Sequence, residues 1–503
     1  MIPLLSREQA RGLDEHAVQE LGISTLVLME NAGSQATRLI VQNFSPQLSR
    51  VLVTCGTGQN GADGWVCARH LRALGHHPML WCLGDPETLT GDARVNCQAA
   101  LKLGLKVTQG LSELERLLGE ATLVVDALFG TGLSRPITGD AQRAIRAINE
   151  HALSTVALDV PSGIHADTGQ ICGEAICATM TVTFGGHKRG LCQHPGRAQA
   201  GKVHSVSLGV PVTEGSAMLM EERDLGRWLI ERASDTHKGR EGHVWVVGGS
   251  AGKSGAALLA GAGAMRSGAG SVTIASGSEA GAAIDAGVLE CMTFRMSDDA
   301  HVAVRQIMRA RGGMHAAVLG PGFGLEREPQ AILHALALKL PVPAVLDADA
   351  LWAWGEEGLD TLREAVAPRV LTPHPGEAAR LLVCTVEEVQ ADRYGAALEL
   401  AKQSRQVVIL KGAGSIVAAP DGRMRICSRG SPAMATAGSG DVLAGMVAAQ
   451  VRALKDVFDA ASAGTLLHAL SAESAAYGDR GLLAHEIAKQ APHVIAQAME
   501  RRP

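Results

Sequence analysis

Several absences narrow this chain before any motif is read. Its ten cysteines, at 55, 67, 82, 97, 172, 177, 192, 291, 384 and 427, include no pair at the CxxC spacing of a zinc or redox site. Several stand inside apolar segments, where a free thiol behaves as a small hydrophobe, so they read as reduced, structural residues of a cytoplasmic protein. The 18 histidines form no cluster with metal-ligand spacing. The opening MIPLLSREQARGLDEHAVQ has no basic stretch leading into an apolar one, so it is not a signal peptide. The Ala/Gly-rich run at 256–270 is too short for a membrane span, and it carries Arg266. A net charge of −5 and a pI near 6.4 leave no electrostatic footprint for a nucleic-acid or membrane partner.

What is present is a large α/β chain. Its 503 residues exceed one ordinary core, and 46% hydrophobic against 19% charged residues can fill two large ones. Many of the 59 glycines fall where an apolar run stops, as loops that approach a ligand closely would require. In the first block, apolar runs at 50–56, 77–84, 121–130, 154–163 and 178–186 read as strands buried on both faces of a parallel sheet. A charged, mixed segment at 210–242 breaks the rhythm, which places a domain boundary near 215 and gives domains 1–215 and 216–503. A second block follows, with strands at 242–250, 271–277, 315–324, 343–351, 369–377 and 406–414, a hairpin around Asp421-Gly422 and a helical tail. The blocks share no motif, so two folds are joined rather than one duplicated.

In the first block GTGQNGADGW (56–65) follows a strand and opens a helix. Gly56, Gly58 and Gly61 match G-x-G-x-x-G, which alone suits an ordinary hydride-transferring dinucleotide domain equally well. The polar filling differs, however. An acid beside phosphates is repelled, so Gln59, Asn60 and Asp63 fit a cation, a sugar or a carboxamide better. Two further strands end in carboxylates, Asp126 and Asp159, and in open α/β sheets ligands bind beyond such strand ends. Each acid could instead cap the turn that follows it.

In the second block TAGSGDVLAGMVAAQ (436–450) places Gly438 and Gly440 in a loop and Asp441 in the first helical turn. Free N–H groups there can hold a transferring phosphoryl group while Asp441 takes a proton from a hydroxyl. GSAGKSG (249–255) lacks the spacing of a P-loop.

These motifs, in order, resemble a known family. GQNGADG, VVDALFGTGLSRP, ALDVPSG and TFGGHKRG look like the N-terminal domain of bifunctional NAD(P)H-hydrate repair enzymes. KGAGSIVAAPDG, LGPGFG, LTPHPGE and the Asp441 segment resemble the ribokinase-like NAD(P)H-hydrate dehydratases. The resemblance implies a Rossmann-like three-layer epimerase domain followed by a ribokinase-like α/β dehydratase domain. The first would interconvert the R and S hydrates of NADH and NADPH. The second would dehydrate the S form with Mg²⁺ and ADP, giving AMP and phosphate.

It further implies that Asn60, Asp126 and Ser162 hold a potassium ion. Gln59, Asn60, Gly61, Ala62, Asp63, Gly130, Thr131, Gly132, Leu133, Ser134, Arg135, Pro136 and Asp159 would contact the hydrate at the first site. Asp159 is the first candidate there for proton transfer and Lys188 the second. At the second site Ala256, Gly322, His374 and Asp441 would meet the hydrate. Lys411, Gly412, Ala413, Gly414, Ser415 and Gly440 would meet the nucleotide. Where the family shows Asn and Gly in the first loop, this chain has Gln59 and Ala62. A homo-oligomer is expected. The alternatives are a ribokinase-type small-molecule kinase fused to a Rossmann-like domain, and a front domain serving only as an interaction module. The polar residues Asn60, Asp126 and Asp159 argue against the latter.

Overall fold

The computed structural model describes residues 1–212, 215–355 and 358–502. The chain separates into two compact units, Ile2–Met218 and Leu219–Pro503, the latter taking in Met1. No helix among the described residues is long and apolar enough to cross a membrane.

The first unit is built on a seven-stranded sheet, parallel throughout. Its strands run in the order Val107–Thr108, Met79–Cys82, Val51–Cys55, Leu123–Ala127, Thr155–Leu158, Met180–Phe184, Lys202–Val206. Chain order reverses between Val51–Cys55 and Leu123–Ala127. That switch point opens a crevice at the carboxyl ends of the two strands, where both candidate motifs begin. Both strands are buried along their whole length, as their continuous Val/Leu character requires. One face packs against the helices Thr25–Phe44, Gln59–Ala73 and Gly91–Lys102, with Trp65 fully buried. The other face packs against Leu111–Glu120 and Gly139–Glu150.

The strands are shorter than their apolar runs. Thr155–Leu158 stops because Asp159 turns into the left-handed region at φ +66°. The edge strands Val107–Thr108 and Lys202–Val206 are partly exposed and polar, which is why no apolar run marks them.

The second unit carries seven parallel strands: Met292–Arg295, Ser271–Ser276, His243–Val247, Ala316–Leu319, Ala344–Leu346, Arg369–Leu371 and Val407–Leu410. Two antiparallel strands follow, Ser415–Ala418 and Met424–Cys427, and the expected hairpin closes through Gly422 at φ +95°. The helix Ser439–Ala453 runs through the core, buried from Val442 to Val451. The Ala/Gly-rich segment forms the helix Ser254–Arg266, and its small residues permit close packing. A Cβ on Gly263 would lie 2.4 Å from the Val442 carbonyl oxygen, and one on Gly445 2.0 Å from that of Ala260.

Candidate functional sites

In the first unit the crevice becomes a cavity of about 470 Å³. Helix Gln59–Ala73 begins directly after Gly58, so the second half of the glycine motif is its first turn. Gln59, Asn60 and Asp63 then fall on one face and line the cavity, while Gly61 and Ala62 turn inward and do not. A Cβ on Gly61 would lie 1.9 Å from the Gly56 carbonyl oxygen, and Ala62 is fully buried in the sheet-facing core. The departure at Ala62 is therefore absorbed by packing. Gly130, Thr131, Gly132, Leu133, Ser134 and Arg135 line the cavity too, whereas Pro136 is exposed and lies outside its lining.

Asp126 accepts hydrogen bonds from Ser162 Oγ at 2.6 Å, Ser162 N at 2.8 Å and Leu128 N at 3.2 Å. It therefore does cap the loops that follow. Burial, against those bonds, pushes its carboxyl up to about 6. Asn60 is 8% exposed, and neither oxygen nor nitrogen of its amide has a hydrogen-bond partner. Such an orphaned group costs about 1–3 kcal/mol unless a ligand satisfies it. An amide oxygen, a carboxylate and a hydroxyl are hard donors with one negative charge, so the set fits a monovalent cation such as potassium. A Cβ on Gly130 would lie 3.3 Å from both Asn60 and the Asp159 carboxylate, so only glycine leaves room there.

Asp159 is joined to Lys188. The ammonium, 2% exposed, donates to Asp159 Oδ1 at 2.5 Å, to the Phe184 carbonyl at 2.5 Å and to Thr183 Oγ1 at 3.1 Å. All three donors are engaged within the protein. Asp63 is held well above the usual carboxylate range by burial and by the charges of Asp159 and Asp14. Asp14, which no sequence motif marks, lines the same cavity.

In the second unit Asp347 after strand Ala344–Leu346, Glu377 after strand Arg369–Leu371 and Lys411 after strand Val407–Leu410 surround Asp441 in the first turn of helix Ser439–Ala453. The helix begins right after Gly438, at φ +87°, so Gly440 lies inside the first turn rather than in the loop. Its lack of a side chain has a cause, because a Cβ would sit 3.3 Å from Lys411 Nζ. Lys411 Nζ is 2.7 Å from Asp347 Oδ1 and 3.8 Å from Glu377 Oε2. Burial works against its charge, but the carboxylates of Asp347, Glu377 and Asp441 outweigh that and raise its pKa. Asp441 is pushed up to about 7 by burial and then by Asp347, with Lys411 opposing. That value suits a general base at neutral pH.

Gly322, at φ +58°, would place a Cβ 3.1 Å from that of Ala256, so these two candidates are neighbours. His374 caps helix Pro375–Leu382, its Nδ1 accepting from Gly376 N at 3.0 Å and Glu377 N at 3.2 Å, while the side chain stays 57% exposed. The Lys411–Ser415 turn is closed by Ser415 Oγ donating to the Gly412 carbonyl at 2.9 Å. From below, buried Arg393 donates to the Leu410 and Lys411 carbonyls at 3.3 and 3.2 Å.

Sequence reasoning passed over Asp347, Asp349 and Glu377, although DADA after a strand and HPGE at a helix start placed acids beside the glycine motifs. Among the described residues no three His, Cys, Asp or Glu side chains are grouped to hold a metal ion. Mg²⁺ held by one or two carboxylates and by phosphates needs no such group, and Asp347 and Glu377 supply fitting oxygens.

Comparisons with known proteins agree in both halves. The family described as NAD(P)H-hydrate dehydratase matches residues 244–493, and that described as YjeF-related protein N-terminus matches residues 25–190. The chain is 36% identical to a bifunctional NAD(P)H-hydrate repair enzyme of Thermofilum pendens, over 97% of this chain and 95% of that protein. It is 37% identical to its counterpart in Moorella thermoacetica, over 99% and 97%. A crystal structure of the ADP/ATP-dependent NAD(P)H-hydrate dehydratase of Bacillus subtilis, co-crystallised with ATP/Mg²⁺, is 31% identical with a TM-score of 0.50. It covers 56% of this chain and 99% of that one.

Proposed function

Since this chain belongs to the family of bifunctional NAD(P)H-hydrate repair enzymes, we propose that the 470 Å³ cavity is its epimerase site and the Lys411–Asp441 cluster its dehydratase site. The first site interconverts the R and S hydrates, and the second returns the S form to NADH or NADPH using a nucleotide. Domain limits of 1–215 and 216–503 fit this division.

The observation that carries the reading is Asp441, whose carboxyl, pushed up to about 7, stands in the first turn of a core helix beside Lys411. Asp441 takes the proton of the hydrate hydroxyl, whose oxygen then attacks the terminal phosphoryl group. The free N–H groups of the helix start and the Lys411 ammonium meet the charge that develops on that group. Phosphate is a far better leaving group than hydroxide, so its elimination restores the ring. With ADP as donor the products are AMP and phosphate. When bound, Mg²⁺ neutralises the phosphates, with Asp347 and Glu377 as the oxygens that would hold it.

At the epimerase site Asn60, Asp126 and Ser162 would hold potassium, whose charge would draw the loop ends together around the hydrate. Lys188 holds the Asp159 carboxylate in place through its 2.5 Å hydrogen bond.

Recovery of reduced-nicotinamide absorbance from mixed R and S NADH hydrates, with Mg²⁺ and either ADP or ATP, tests both assignments. Recovery should be complete for the native protein, stop at the S fraction for Asp159→Asn, and vanish for Asp441→Asn. No recovery with either nucleotide would send the search to kinase substrates instead.

A further inference from the structure

We propose that Asp14 is a catalytic carboxyl of the epimerase, working with Asp63 as an acid–base pair that holds one proton between the two. The proposal rests on the epimerase reading of the cavity and adds a residue from an element that no motif includes.

Helix Arg7–Gln19, started by a Ser6–Gln9 capping box, buries only Ala17 of its 13 residues. It is therefore not held in place by an apolar stripe. Arg7, Ala10, Arg11 and Asp14 follow the i, i+3, i+4, i+7 spacing of one helical face, and all four line the cavity. Arg7 fastens this face to the substrate loop by donating to the Thr131 carbonyl at 2.8 Å and the Gly132 carbonyl at 3.1 Å. Asp14 thus enters the cavity from one element and Asp63 from another.

Lys188 is bound to Asp159 and two further oxygens, and among the described residues no ion pair is made to Asp14 or Asp63. Asp14 is raised by burial and then by the Asp159 charge, and Asp63 by burial and then by Asp159 and Asp14, with Lys188 opposing in both. Two like charges in one half-buried pocket do not both ionise readily, so one proton serves the pair. The unpartnered amide of Asn60, on the same cavity wall, independently marks this space as a ligand's.

A symmetric pair suits a reaction that must run both ways. Hydration places the hydroxyl on the carbon beside the ring nitrogen. Asp63 gives its proton to that oxygen, and the C–O bond breaks with both electrons leaving in water. The nitrogen lone pair closes a C=N bond, and the resulting cation faces the remaining carboxylates. A second water adds to the same carbon from the opposite face. The C=N electrons return to nitrogen, and Asp14 takes the proton shed by the incoming water. One centre is inverted, one proton still resides on the pair, and no oxidant is consumed. The return reaction exchanges the two roles.

The charged groups that bear on the pair are Asp159 from the loop after Thr155–Leu158, Lys188 from the strand after Met180–Phe184, and Glu15 beside Asp14. Arg7, Arg11 and Arg135 stand in the cavity wall. The test follows relaxation of pure R hydrate toward the R/S mixture by the full chain, without nucleotide, across a series of buffers from acid to alkaline. The native rate should be bell-shaped in pH. Asp14→Asn should lower kcat about 10²-fold with KM within about twofold, remove the acid limb and move the alkaline limb to lower pH. Asp14→Glu should keep the bell at reduced height. An intact bell in Asp14→Asn, at any height, would overturn the proposal. Native protein that fails to interconvert the hydrates would instead remove the epimerase reading itself.

Discussion

Each unit sets one lysine among several carboxyls, Lys188 buried and Lys411 partly so, and the two are held differently. Lys188 gives all three donors to the protein: a carboxylate, a carbonyl and a hydroxyl. Lys411 has only Asp347 within hydrogen-bond distance among the described residues, with Glu377 at 3.8 Å. A saturated ammonium fixes its partner and shapes the field of the cavity. An ammonium with donors to spare can meet an incoming phosphate. The first arrangement suits a site that holds the hydrate alone, and the second suits one that must also bind a nucleotide.

The sharpest way to break this comparison lies at Asp441. Its carboxyl, raised to about 7, must be ionised to accept a proton, so dehydratase kcat should rise with pH through about 7 and level off above it. Asp441→Asn should lower kcat by about 10²–10⁴-fold, the range of a lost general base, and abolish that pH dependence. Epimerisation of the R hydrate should be unaffected. A variant that keeps the native pH profile would assign the proton transfer elsewhere.

Next in size comes Lys188. Breaking a buried ion pair from one side leaves the other charge uncompensated, so Lys188→Met should destabilise the first unit by about 3–5 kcal/mol and end epimerisation. Adding Asp159→Asn removes the stranded charge and should return part of that stability. Thermal unfolding of the single and double variants decides the point. If the double variant is as unstable as the sum of the singles, Lys188 acts through packing alone.

What was legible in the sequence follows the same division between glycine-marked loops and everything else. Strands buried on both faces announce themselves as apolar runs, and Asp126, Asp159 and Asp441 are visible because each stands where such a run or a glycine loop ends. Asp14 is not, because it sits on a helix whose inner face covers a cavity and carries charge in place of the apolar stripe a pattern search seeks. Asp347 and Glu377 are not singled out by the sequence, since only the fold brings them to Lys411. Gly440 looks like loop in the sequence, where small residues lead into the helix. Its true reason is the 3.3 Å approach of Lys411 Nζ, a contact made across 29 residues of chain.

That contact sets the smallest effect. At Gly61 a new Cβ would meet backbone, the Gly56 carbonyl oxygen at 1.9 Å, and nothing flexible can yield. Gly61→Ala should cost the first unit about 1–3 kcal/mol or more, as overpacking does. At Gly440 the new Cβ meets the far end of a lysine side chain, which can swing aside. Alanine also favours the helix over glycine by about 1 kcal/mol, so Gly440→Ala should leave stability unchanged or slightly raised. The displaced ammonium should instead show as a several-fold higher nucleotide KM with kcat less affected, since a mispositioned cation weakens phosphate binding first. Should Gly440→Ala unfold the second unit as Gly61→Ala does the first, Lys411 would be as rigidly fixed as Lys188, and the distinction between the two sites would fall.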